Sequence, residues 1–128
     1  MKVFIADGSS LLRRQLVELL CELEGLEVIG QARDAHETLS AIRALKPDVV
    51  TLDVQMPGGS GIDVLKKIRQ DDPALVVIML TNHASTPYRK KCLQAGADFF
   101  VDKAFGINEV KQIVQDLSPL FNARRAGK

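Results

Sequence analysis

The amino-acid sequence predicts one α/β domain in which five parallel strands alternate with five helices in a doubly wound sheet. Three observations lead there. Five short runs rich in β-branched or aromatic residues (KVFIA, EVIGQA, VVTL, LVVIML and FFV) are each followed by apolar residues at helical spacing. The connections between runs and helices are short and hold Gly, Ser, Asp or Pro, as βα units do. Two of the runs, VVTL and LVVIML, are apolar almost throughout rather than alternating, the pattern of strands covered on both faces.

The first strand is expected over Lys2–Ala6, with Asp7 ending it and Gly8, Ser9 and Ser10 forming the turn. Either serine can cap the first helix, whose stripe is Leu12, Leu16, Leu19, Leu20 and Leu23, and Gly25 closes it. Glu27–Ala32 is a more polar strand, suited to a sheet edge. Asp34 caps the second helix, Leu39, Ile42 and Leu45 supply its buried face, and Lys46 with Pro47 marks its exit. The third strand, Val49–Leu52, is stopped by Asp53. The run Met56, Pro57, Gly58, Gly59, Ser60, Gly61 then breaks regular structure before a third helix bearing Ile62, Val64, Leu65 and Ile68. Leu75–Leu80 is the most apolar run and reads as a central strand, ending at Thr81, Asn82 and His83. Pro87 suits the first turn of a fourth helix with Tyr88, Cys92 and Leu93 inward and Gly96 as its stop. Phe99–Val101 is a short fifth strand leading to Asp102 and Lys103. The last helix carries Val110, Ile113, Val114 and Leu117, its end weakened by Ser118 and Pro119. Handedness and packing rules favour a parallel sheet with helices on both faces; they do not set the strand order, and the expected order is the flavodoxin-like 2-1-3-4-5, the common solution for a (βα)5 sheet.

At 128 residues and 46% hydrophobic, the chain has the size of one globular domain. That domain is expected over residues 1–121, followed by a basic tail, 122–128, with Arg124, Arg125 and Lys128. A net charge of +1 gives no overall pull toward nucleic acid, so no direct nucleic-acid contact is expected. No run approaches the roughly 20 apolar residues that cross a bilayer. Met1 leads into a strand rather than a signal core, so a cytoplasmic protein without membrane contact is expected. Cys21 and Cys92 sit beside leucines and are expected to act as buried free thiols; no Cys and His spacing resembles a zinc site. His36 is expected on an exposed helix face.

Four polar residues terminate four of the five strands: Asp7, Asp53, Thr81 and Lys103. In a parallel sheet these ends share one edge, where ligands and chemistry collect. Two acids, a hydroxyl and an ammonium suit phosphoryl transfer to a carboxylate, which needs positioning and neutralisation of charge on the equatorial oxygens. Asp53 would be the nucleophile. Asp7, Asp53 and a backbone carbonyl in the following loop would offer the hard oxygens magnesium prefers. Lys103 would neutralise one phosphate oxygen and Thr81 donate its hydroxyl to another.

On these residues the chain resembles the receiver domain of two-component response regulators, over essentially residues 1–121. Asp53 in LDVQMPGGSG matches the phosphoacceptor motif, TN after IML the strand-end hydroxyl, and DFFVDK the strand-end lysine. The resemblance implies a phosphoryl group passed to Asp53 from a sensor histidine kinase or phosphotransfer protein, with Mg2+ held by Asp7, Asp53 and the backbone carbonyl of Gln55. It implies that Thr81 and Phe100 form a switch, the threonine drawn to the phosphate and the ring turning into the vacated space. The face built by the fourth helix, fifth strand and last helix is thereby biased toward a downstream protein target or a further effector domain, or toward a phosphorylation-linked homodimer. The receiver assists its own phosphorylation and dephosphorylation and is not otherwise an enzyme.

Two positions depart from the pattern. Gly8 stands where the family carries a second acid, a common metal ligand, so a weakened magnesium site is expected. Ala104 replaces the usual proline after the lysine. Gly8 opens an alternative, a pseudo-receiver that keeps the fold and binding surface without the metal-assisted switch. Asn82, where the family favours a small residue, is expected to hinder the attacking water and prolong the phosphorylated state, and His83 is read as a solvated loop residue. A flavin carrier on the same architecture would have only Tyr88, and no Trp, among the residues best suited to stack on the ring.

Overall fold

A computed structural model describes residues 1–82 and 86–126, with side chains at all of these except 86, 105 and 121–126. His83 and Lys128 lie outside the described residues, as do the side chains of Arg124 and Arg125. The sheet strands are β1 (Lys2–Ala6), β2 (Glu27–Ala32), β3 (Val49–Asp53), β4 (Val76–Thr81) and β5 (Phe99–Asp102). They alternate with α1 (Ser10–Leu20), α2 (Ala35–Leu45), α3 (Gly61–Asp71), α4 (Thr86–Gln94) and α5 (Asn108–Ala126). All four sheet pairings are parallel and the order is β2-β1-β3-β4-β5, so the expected doubly wound, flavodoxin-like fold is observed.

Because strand side chains alternate between faces, the sheet splits the core in two. Phe4, Val50, Leu52, Val77 and Met79 pack with Ile42, Val64, Leu65, Ile68 and Cys92 from α2, α3 and α4. Val3, Ile5, Val49, Ile78, Leu80 and Val101 pack with Leu16, Leu20, Val110 and Val114 from α1 and α5. The helices start where the sequence offers caps: Ser9 accepts from the Leu12 amide, Asp34 from Glu37 and Ser60 from Ile62. The glycine-rich stretch after β3 is a two-rung hairpin, Gln55–Met56 against Gly59–Ser60, turning through Gly58 at φ 81°.

Several expected core positions prove exposed. Leu45, the last residue of α2, has one methyl in the space a Cβ on Gly30 of edge strand β2 would approach, and is otherwise open to water. Leu93 follows Cys92 on a helix whose buried strip is one residue wide, and it is 45% exposed. Cys21 is exposed, since the next residue after Leu20 rotates off the Leu16–Leu20 stripe. Cys92 is buried as expected. The last helix runs through Pro119 to Ala126 rather than weakening there. Pro119 is exposed, so the backbone carbonyl it leaves unbonded one turn earlier can be met by water.

Candidate functional site

The C-terminal edge of the sheet brings Asp7, Asp53 and Lys103 into contact. Asp7 follows β1, its amide donating to the Ala32 carbonyl at 3.0 Å and so extending the ladder by one residue. Asp53 ends β3 opposite Leu80 of β4, and Thr81 ends β4 opposite Asp102 of β5. Lys103 opens a single 3-10 turn, Lys103–Phe105, capped by the Asp102 side chain accepting from the Ala104 amide at 2.8 Å.

The Lys103 ammonium stands 2.8 Å from Asp7 Oδ2 and 3.3 Å from Asp53 Oδ1. All three side chains are largely withdrawn from water: Asp7 is 1% exposed, Asp53 7%, and the Lys103 side chain 10%. Thr81, at 1%, is buried at the same edge. Backbone amides complete the carboxylate shells, with Ser9 donating to Asp7 Oδ1 at 2.8 Å and Gln55 to Asp53 Oδ1 at 3.2 Å. Gly8 reaches Asp53 Oδ2 only at 3.5 Å, the weakest of these contacts. Among the described residues Asp7 Oδ2 has its ion pair without an aligned hydrogen bond, because Lys103 sits close but off the donor direction.

Burial holds the Asp53 carboxyl above its ordinary range, and the neighbouring Asp7 charge pushes it further the same way. Lys103 and the Gln55 amide pull it partly back. The loop after β3 is pressed tightly onto this acid. A Cβ on Gly61 would lie 2.0 Å from the Asp53 carbonyl oxygen, and the Gly61 amide donates to Val54 O at 2.7 Å, so only glycine lets α3 begin there. Two features of the site were not legible in the sequence as roles. Gly61 was visible only as a motif position, and Arg13, whose Nη1 donates to the Asp7 carbonyl at 2.7 Å, looks no different from Arg14 in a string of letters.

The donor set suits a hard divalent cation. A buried carboxylate oxygen without an aligned donor, at Asp7, lies in one ionic cluster with a second carboxylate, at Asp53. Among the described residues no group of three or more acidic, Cys or His side chains could hold a metal, so a cation here would have to rest on two carboxylates and backbone oxygen. Gly8 supplies no third acid. A Cβ there would meet Pro57 Cδ at 3.2 Å.

Phe100 is half-buried on β5, and the Arg89 guanidinium lies 6.0 Å from its ring centroid. Asn82 and His36 are exposed.

Fold and site together define a doubly wound domain with an ionic cluster of two acids and a lysine at the strand ends. The chain belongs to the response regulator receiver domain family, which matches residues 3–115. Response regulator GacA of Pseudomonas aeruginosa is 34% identical over 116 residues, covering 91% of this chain and 54% of GacA. A protein-glutamate methylesterase/protein-glutamine glutaminase of Geobacillus kaustophilus is 41% identical over 106 residues, 82% of this chain and 30% of the relative. Among solved structures, the CheX-CheY-BeF3-Mg+2 complex from Borrelia burgdorferi superposes with a TM-score of 0.84 at 31% identity, covering 91% of this chain and 88% of that one. The chain thus spans about half the length of GacA and less than a third of the methylesterase.

Proposed function

We propose that this receiver accepts a phosphoryl group on Asp53 from a sensor histidine kinase or phosphotransfer protein, and passes the signal through its α4-β5-α5 face. The single observation that carries this is the Lys103 ammonium between Asp7 and Asp53. Among the described residues this leaves Asp53 Oδ2 with only the long Gly8 contact, and hence available to attack. In the transfer, Asp53 Oδ2 forms a bond to phosphorus while the phosphorus–nitrogen bond of a phosphohistidine breaks, its electron pair leaving on the imidazole. Lys103 offsets charge on one equatorial oxygen, and Thr81 donates its hydroxyl to another. Asp7, Asp53 and the Gln55 carbonyl would hold Mg2+, which supplies further charge neutralisation. Thr81 and Phe100 switch together and bias the α4-β5-α5 face toward a downstream protein, a further effector domain or a second copy. The setting is the cytoplasm, without contact to membrane or nucleic acid by this domain; among the described residues no helix is long and apolar enough to cross a bilayer.

Incubation with magnesium and a small phosphodonor should give a mass gain of ~80 Da, the added phosphoryl group, absent in Asp53→Ala. A second reading, a pseudo-receiver acting as a phosphorylation-independent binding module, is favoured by Gly8, which stands where a third acid would complete the site. No mass gain even with a cognate kinase would select it.

A further inference from the structure

We propose that Arg89 latches Phe100, holding the ring in its half-buried position and setting how readily the α4-β5-α5 face changes state. This rests on the switching role proposed above for Phe100. The ring packs partly against the core cluster that also takes Tyr88 and Cys92, and the Arg89 guanidinium lies over it, 6.0 Å from the centroid. Nothing on α4 competes for that cation, because the helix, TPYRKKCLQ, carries no acid, and Arg89 makes no salt bridge among the described residues. The helix is otherwise lightly fastened, since Cys92 is the one buried side chain among those described on it. A contact between α4 and β5 through Arg89 and Phe100 therefore weighs more than it would on a deeply packed helix.

A cation over an aromatic face is attracted by the ring quadrupole only while that face is presented. Turning the ring into the space behind Thr81 withdraws the face and breaks the contact. The guanidinium thus favours the half-buried position by about two- to fivefold, the range for such pairs at exposed sites. By reciprocity, any ligand that prefers the inward ring binds more weakly by up to that factor while Arg89 is present.

The test follows Phe100 by NMR in the full chain with labelled phenylalanine rings, assigned through Phe100→Leu. The inward fraction is read from the cross-peak between ring protons and the Thr81 methyl. Without ligand, Arg89→Gln should raise that fraction by about two- to fivefold, and Arg89→Lys, whose ammonium stacks less well, by less. Beryllofluoride with magnesium, a phosphoryl mimic, should bind Arg89→Gln tighter by a similar factor, while the other four phenylalanine signals stay in place to show an intact fold. An unchanged inward fraction in ligand-free Arg89→Gln would overturn the latch. Failure of wild type and variant alike to take up beryllofluoride would count against the phosphoacceptor reading, and the ligand-free spectra would still decide the latch.

Discussion

At position 53 a carboxylate is buried next to another acid, so it takes up a proton more readily in the fold than in the unfolded chain. An acid whose folded pKa is raised contributes most to stability below its unfolded pKa, and that contribution is lost as pH rises through the folded pKa. Asp53→Asn removes the buried charge and keeps the shape. In metal-free buffer it should therefore raise the melting temperature at neutral pH, with the gain shrinking as pH falls through the raised range toward ordinary carboxylate values. A melting temperature that falls at pH 7 would contradict this. Position 8 is complementary. Pro57, the neighbour that a new Cβ would crowd, is exposed and can yield, and Gly8 does not need a left-handed backbone. Gly8→Asp should tighten magnesium by about thirtyfold, given that a unit charge pair at 4 Å contributes about 1 kcal/mol even in water and the divalent cation about doubles that. Calorimetric titration measures it, and unchanged affinity would mean the missing acid is not what limits the site.

Among the elements, α3 and the connections beside it depend on one arginine. Arg69 donates from Nε to Gly96 O at 2.8 Å, from Nη1 to the carbonyls of Asp72, Pro73 and Leu75, and from Nη2 to Asp98 at 2.7 Å. Asp98 in turn accepts from the Val77 amide at 2.9 Å, so one guanidinium ties the end of α3 to the starts of β4 and β5. Gly96 is shaped to it, with φ 105° and a Cβ position 3.0 Å from the arginine side chain. Arg69→Ala should cost about 1.5–3 kcal/mol, the range for hydrogen bonds to charged groups, with Asp98 partly solvated and so worth less. Arg69→Lys should recover little of it, because an ammonium cannot present a planar fork. Urea unfolding midpoints decide both, and a lysine variant as stable as wild type would refute the fork geometry.

For the molecule as a whole, one sheet separates two apolar clusters, so neither can be lost without exposing the strands that the other covers. Leu52→Ala on one side and Leu16→Ala on the other should each cost about 2–5 kcal/mol. Each should unfold in a single transition whether followed by circular dichroism or by the Tyr88 signal. Non-coincident transitions would show the two faces to be separable. The strand count and helix starts could be anticipated because periodicity and capping are local; the strand order was expected only as the commonest arrangement of five βα units, since it depends on which strands pair across the sheet. The exposed Leu45, Leu93 and Cys21 escaped that reasoning, since the width of a buried stripe depends on what stands opposite it.

The residue types at the strand ends, and the glycine-rich turn after Asp53, were readable by themselves, because each is a property of a few consecutive letters. Only the folded chain decided that one ammonium reaches both Asp7 and Asp53, that Gly61 lies against the Asp53 carbonyl, and that Arg13, Arg69 and Arg89 each have a distinct partner. Distances of a few ångströms between residues 50 or 96 positions apart depend on strand register and side-chain rotamers, which no local pattern encodes.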